Sequence, residues 1–565
     1  MHSPRPWLSP GWLQRELRWV RVLALLLCGT SPALAQTVSP PEFLGSIAGP
    51  GAVHEPAGVR FYGTDLGWTF EHRGTHYMLF GDTWPHDRSM CEPLPLADDS
   101  QATFPLALPA NGLPTLTIQT DPQAPNEFAR IRVLRNGEAA VMGYNMTPLT
   151  AFSDGEDAIG FFGEIDLVRC GSRRGKPSCK PYDHLECSQD VGICAPELLG
   201  YDAVCDLATN AGCLPGQQCM PTETGLCIDP DSPLNDGTSA SLPAMAAYHN
   251  HVGVQDAARP ADWHDIGTFA SNKFLNVTAR TVRCFSGKAC GSDYAPGHGA
   301  VLVWGRPGYE VVPGRQAHMY LMALELPLGR TRDGELRLKP RYFAGVRSKT
   351  GEPIWTKHES RAAPLAMDGV VGGNPDDAHP FPNQTAVSWL GPPVNEWMML
   401  YGGGGSDVSG AVLDAEAGPL MVRFAEHPWG PWSAAAVALD PGSPAVAGNP
   451  FGPGGYVFHP ECEDQPPAVC TPSDPHRPLD YFIPGCVEVG ASIDTGILYA
   501  PNIIDAYTRA DGAGGLDVFW NVSVWNPYLV ALLRTNVQPD AASVPDGCPS
   551  GRRPKSRFRW CAGGA

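Results

Sequence analysis

Gly63-Thr64-Asp65-Leu66-Gly67-Trp68-Thr69-Phe70-Glu71-His72-Arg73-Gly74-Thr75-His76-Tyr77-Met78-Leu79-Phe80-Gly81-Asp82-Thr83-Trp84 is the stretch that decides the fold. Two β-prone arms flank the polar centre Arg73-Gly74, the pattern of a hairpin closed by a two-residue turn. Tyr77-Met78-Leu79-Phe80 is apolar throughout, as expected of a strand covered on both faces. The same unit recurs as Thr147–Phe152 with Ala158–Phe162, and as Ala300–Trp304 with Met319–Leu324. It returns as Gln384–Leu390 with Trp397–Tyr401, and as Ile503–Thr508 with Leu516–Trp520. Each hairpin has an apolar face that it cannot bury alone, so five copies predict blades packed around an axis. The expected class is all-β, a five-bladed β-propeller with a disulfide-rich insertion. A β-sandwich with long loops is the structural rival.

Composition agrees with many short strands. The chain has 565 residues, and Gly 63 with Pro 58 make up about a fifth of it, against roughly 12% in average usage. These turn formers are spread along the whole chain, which argues against a helical bundle or a doubly wound α/β fold. The formal charge of −19 disfavours a nucleic-acid partner, which needs a basic face.

The N-terminus predicts export. Arg15, Arg18 and Arg21 precede the apolar run Val22–Leu27, and Ala33-Leu34-Ala35 is an Ala-x-Ala cleavage site, together the pattern of a secretory signal peptide. The run is too short to span a bilayer, which takes ~20 residues, and no membrane span is expected elsewhere. Removal of residues 1–35 takes four Arg and one Glu and leaves a charge of −22. Cys28 follows the bulky Leu27, so lipidation is disfavoured. The expected location is extracellular or periplasmic.

Seventeen cysteines less Cys28 leave an even number, as an oxidising compartment favours. Eight of them lie between Cys170 and Cys227, in a segment poor in β-branched and aromatic residues. Disulfides would hold such a segment, each by about 2–4 kcal/mol. Cys284/Cys290, Cys462/Cys470 and Cys548/Cys561 read as local staples, with Cys91 and Cys486 left as a long-range pair. The division that follows is a signal peptide at 1–35, a linker at 36–50, blades one and two at 51–169, the Cys-rich insertion at 170–230, the remaining blades at 231–535 and a tail at 536–565.

The chemistry is expected in the first hairpin. A turn at Arg73-Gly74 pairs residues whose numbers sum to 147, which sets Asp65 against Asp82. Directly opposed residues have Cβ atoms ~4.5–5.5 Å apart. Two carboxylates that close do not both ionise easily, and a proton donor beside a carboxylate is the equipment of glycosidic-bond hydrolysis. Asp residues at strand ends also serve as turn acceptors, and a slipped turn would separate the pair. Asp98, Asp99 or Glu164 are candidates for a third carboxylate, with Trp68, Trp84, Asp99 and Glu164 assigned to substrate binding. Trp68, Trp84 and Tyr62 flank the aspartates; such rings stack on sugars but more commonly fill cores. His54 and His459 are candidates to line a central mouth. His249-Asn250-His251 has a spacing that permits metal ligation only on a strand, and Asn374-Pro375-Asp376-Asp377 is an equally weak cation loop. No metal or other cofactor is expected. Serine-hydrolase elbows, phosphate loops and His-Glu-x-x-His are absent. Asn145, Asn276, Asn383 and Asn521 stand in glycosylation sequons.

Gly63-Thr64-Asp65-Leu66-Gly67 with Phe80-Gly81-Asp82-Thr83-Trp84 resembles the opening of the family called domain of unknown function 4185. Asn383-Gln384-Thr385, Met399-Leu400-Tyr401-Gly402, Pro428-Trp429-Gly430-Pro431-Trp432-Ser433 and Asn521–Tyr528 with Arg534 extend the resemblance from about Gly51 to Arg534. It implies a five-bladed propeller related to glycoside hydrolase family 183, endo-acting D-arabinanases. It also implies that Asp65 and Asp82 are the catalytic pair, one a general acid and the other a base or nucleophile. The expected function is a secreted hydrolase of a furanose polysaccharide. A non-catalytic carbohydrate-binding or surface interaction propeller is the alternative.

Overall fold

The computed structural model describes residues 36–49, 52–85, 98–109, 112–135, 138–139, 146–166, 169–179, 186–195, 204–210, 218–223, 225–228, 247–269, 273–282, 299–306, 319–349, 351–367, 384–402, 420–439, 497–525 and 529–539. The signal-peptide segment, residues 540–565 of the tail, the three local cysteine pairs, Cys91, Cys486, His459 and Asn374–Asp377 lie outside them, while residues 536–538, expected in the tail, end the strand Leu529–Gln538. Among the described residues the protein is all-β, with two short 3-10 turns, Glu359–Arg361 and Asp505–Tyr507. No helix among them is long and apolar enough to cross a membrane.

Five sheets of four to six strands carry this part of the chain. The first runs from Leu66–His72 through Thr75–Thr83 and Asp98–Phe104 to Leu116–Ile118 and His54–Glu55. Arg73 and Gly74 both have positive φ, 51° and 77°, so the hairpin closes on the predicted two-residue turn. The second sheet orders Met146–Ser153, Ala158–Asp166, Ala247–Gln255 and Asp262–Phe269, with Arg132–Arg135 added in parallel. The third orders Asn276–Val282, Gly299–Arg306, Tyr320–Leu326, Arg341–Val346 and Pro353–Thr356. The fourth orders Thr385–Leu390, Glu396–Gly402, Leu420–Ala425 and Ala436–Leu439, and the fifth is built on Ile497–Ile503, Leu516–Trp525 and Leu529–Gln538.

The first-named strands of the sheets are neighbours in turn. Leu66–His72 packs beside Met146–Ser153, which packs beside Asn276–Val282. That strand packs beside Thr385–Leu390, which reaches Ile497–Ile503, and Ile497–Ile503 in turn packs beside Leu66–His72. Five apolar cores lie between sheets. Trp68, Leu79, Phe162 and Trp263 join the first to the second, and Phe161, Val277, Val301 and Met322 join the second to the third. Trp304, Leu321, Val387 and Trp397 join the third to the fourth, Leu400, Val422, Val518 and Leu533 the fourth to the fifth, and Met78, Phe80, Phe519 and Leu532 the fifth to the first.

Several sequence expectations are corrected. Residues 36–49, expected within a linker, contain strands Thr37–Val38 and Glu42–Ala48, both paired with Leu529–Gln538; Arg534 forms an ion pair with Glu42 there. The third sheet begins one strand earlier than the sequence predicts: Asn276–Val282 pairs with Gly299–Arg306, ahead of the expected Ala300–Trp304. In the fifth, the first strand is Ile497–Ile503, and the residues expected to form it run into the 3-10 turn. The Cys-rich insertion does not follow a finished second blade but interrupts it, between Ala158–Asp166 and Ala247–Gln255. Within it, small antiparallel sheets carry the disulfides Cys170–Cys187 and Cys205–Cys219. Asn276 and Asn521 are buried, 7% and 0% exposed, so those two sequons are closed to glycosylation in the folded chain.

Candidate active site

The site begins with a register slip. From His72↔Thr75 to Trp68↔Leu79 the first hairpin keeps the expected pairing, but the next pair is Leu66↔Phe80, with Gly67 bulged out. Leu66 and Gly67 both have positive φ, 66° and 89°. For Leu that conformation costs about 1–3 kcal/mol, so something must hold it. The fifth sheet does: Leu66 N–H donates to Ser523 Oγ at 2.6 Å, and Asn521 Nδ2 donates to Leu66 O at 3.1 Å. Asn502 Nδ2 donates to Gly67 O at 3.1 Å and lies within reach of Asn521 Oδ1.

The slip is local: beyond it Gly63 bridges Trp84, a sum of 147 again. Asp65 and Asp82 lie between that bridge and the bulge, where the Asp65 carbonyl accepts from Gly81 N–H at 3.3 Å. A Cβ on Gly81 would overlap Asp65 Oδ1 and the Leu66 side chain. The missing side chain is therefore the space in which the Asp65 carboxylate lies. On the other flank of Gly81, the pairing with Asp98–Phe104 also shifts, between Phe80↔Ser100 and Thr83↔Asp98. Gly81 and Asp82 face the Asp98-Asp99 stretch across that irregularity.

The electrostatics follow from this packing. Asp99 is 1% exposed, and neither of its carboxylate oxygens has a hydrogen-bond partner among the described residues. Burial holds its carboxyl well above the ordinary range, and the charges of Asp98, Asp82 and Asp65 push in the same direction. The sequence places the raised carboxyl at Asp65 or Asp82; the group whose burial raises it here is Asp99. Asp98 is also raised, chiefly by burial, and is opposed by Arg130, whose Nη1 lies 3.2 Å from Asp98 Oδ2. Asp65 is 8% exposed and Asp82 is partly exposed, so access to the group increases from Asp99 to Asp82. Behind them runs a buried hydroxyl chain, Thr64 Oγ1 to Thr83 Oγ1 at 2.8 Å and Thr83 Oγ1 to Ser100 Oγ at 2.6 Å.

Tyr499 escaped the sequence reading. Its hydroxyl donates to Asp65 Oδ2 at 2.8 Å from the fifth sheet, 434 residues along the chain. No local signal marks such a contact, because it depends on how the two ends of the chain meet.

The other candidates separate cleanly. Trp68 and Trp84 are 5% and 1% exposed and fill the core, so neither is a platform for sugar; Tyr62, 41% exposed, is the ring that faces solvent. Glu164 occupies the position opposite Met146 and His249, and its side chain lies outside the described set. His251 is buried with Nδ1 3.3 Å from Asp265 Oδ1, the setting of a satisfied core histidine. His54 packs edge-on against Phe61 at 4.8 Å, and burial lowers its pKa to about 4. Among the described residues no three His, Cys, Asp or Glu side chains are grouped to hold a metal ion.

No family model matches the chain, and no curated protein matches it. Among solved structures, the alpha-L-arabinofuranosidase of Podospora anserina in complex with cellotriose is similar to it at a TM-score of 0.31 and 9% identity, over 90% of this chain and 98% of that one. A superposition that loose leaves the chemistry of the site to the chain's own residues.

Proposed function

We propose that this chain is a secreted glycoside hydrolase built as a five-bladed β-propeller, cleaving a furanose polysaccharide of the D-arabinan kind. The blade count is supported by five sheets whose edge strands neighbour one another in turn, with an apolar core at each junction. Export is supported by the signal-peptide pattern and by disulfides such as Cys170–Cys187 and Cys205–Cys219. The polymer class follows from the resemblance to domain of unknown function 4185.

One observation carries the catalytic reading: Asp65 packs against Gly81, next to Asp82, and Asp99 is buried close enough for both charges to raise its carboxyl further above the ordinary range. Asp65 and Asp82 are the two that a glycan reaches, one working as general acid and the other as base or nucleophile. Asp99 lies too deep to touch substrate and shapes the charge of the pair. Tyr62 offers an exposed ring close by for a sugar face.

The test is a panel of furanose and pyranose polymers incubated with the wild-type chain and with Asp65→Asn. Reducing ends should appear from the furanose polymers with wild type, and fall by at least about 100-fold with Asp65→Asn at matched circular dichroism. Release from pyranose polymers alone would contradict the substrate class, and equal rates for both proteins would contradict the site.

A further inference from the structure

We infer that Tyr499 is a positioning residue for Asp65, presenting that carboxylate in one orientation and leaving Asp82 as the proton donor; this rests on the hydrolase reading above. The geometry comes from both strands. Tyr499 lies beside a bulge of its own, since the pairing of Ile497–Ile503 with Leu516–Trp525 shifts between Tyr499↔Ser523 and Asn502↔Asn521. Within that shift Ala500 has a φ of 50°. Two irregular strands therefore meet here, and bulges of this kind re-aim side chains.

The same elements fix what Tyr499 touches. Ser523, directly opposite Tyr499, bonds the Leu66 backbone next to Asp65, through Leu66 N–H at 2.6 Å and Leu66 O at 3.2 Å. Asn502, just beyond the bulge, bonds Gly67 O. The phenol and the backbone of Asp65 are thus tied to one rigid element of the fifth sheet. The phenol occupies Oδ2, while Oδ1 lies over Gly81. The carboxylate is anchored through Oδ2, and Oδ1 is packed over Gly81, so rotation would break the phenol bond.

A donor facing a carboxylate favours its charged form. Asp65 is therefore the member that works ionised, as base or nucleophile. With Asp65 as the ionised member, Asp82, the more exposed of the two, is the one left to carry the proton. In the first step the Asp82 O–H bond breaks as its proton passes to the glycosidic oxygen. The C–O bond electrons leave with that oxygen, and Asp65 supplies the electron pair, to C1 directly or through a water that it deprotonates.

Tyr499→Phe removes one hydroxyl and keeps the ring. It should lower kcat roughly 10- to 100-fold with KM within about 2-fold, and move the acidic limb of the kcat/KM profile to higher pH. A residue with a merely structural role would lower the amount of folded protein and leave the profile in place. Activity of wild type with an unmoved profile in Tyr499→Phe would overturn the inference and leave the hydrolase reading standing. A wild type inert on every glycan of the panel would overturn both.

Discussion

Gly81 shows how a single missing side chain builds the acid group. Any Cβ at this position meets Asp65 Oδ1 and Leu66, so Gly81→Ala must displace the carboxylate or the strand. It should cost about 1–3 kcal/mol of stability and most of the hydrolytic rate, read by thermal unfolding and reducing-end release on the same sample. Asp99 gives a second prediction. Its carboxyl stays protonated in the folded chain at pH values where an unfolded Asp has ionised. Stability therefore falls as pH rises above the ordinary carboxylate range, ~4, towards the raised value of Asp99. Asp99→Asn keeps the neutral form, so its melting temperature relative to wild type should be higher at pH 7 than at pH 4. A difference independent of pH would contradict the protonated state. The sequence made Asp65, Asp82 and Asp99 visible as acids, but not their order of burial, which depends on where the strands slip.

The bulge at Leu66-Gly67 is where local reading failed. The turn at Arg73-Gly74 was legible because both residues tolerate or require positive φ, and it set the register correctly for five pairs, from His72↔Thr75 to Trp68↔Leu79. The slip after Trp68 is imposed by Ser523, Asn521 and Asn502, which are more than 430 residues away. Asn521 had been read as a sequon; buried, it is a clamp. A Cβ on Gly67 would lie 2.5 Å from Asn521 Nδ2, and its φ of 89° strains any other residue. Gly67→Ala should therefore destabilise by roughly 2–4 kcal/mol and reduce activity with it. Asn521→Ala in the Gly67→Ala background should cost less than the two single losses added, since both act on one contact. Additive losses, measured by urea unfolding, would place the strain elsewhere.

For the whole molecule, the recurrent hairpins are legible from apolar second strands such as Met319–Leu324 and Trp397–Tyr401, which need cover on both faces. What stayed hidden was how the ends meet. Glu42–Ala48 is short, follows Pro40-Pro41 and has no hairpin partner nearby, so it read as linker; its partner is Leu529–Gln538. A segment without core residues reads as an insertion, but its place inside the second sheet depends on the pairing of Ala158–Asp166 with Ala247–Gln255. If the N-terminal strands complete the last sheet, removal of residues 36–49 should lower the melting temperature by more than about 5 °C; an unchanged value would restore the linker reading. The central claim is tested most directly by reducing-end release from mycobacterial arabinogalactan, with wild type beside Asp82→Asn at matched circular dichroism. Product from wild type alone, with both proteins folded, is the predicted result. Equal release by both proteins, or none from wild type, would contradict the account.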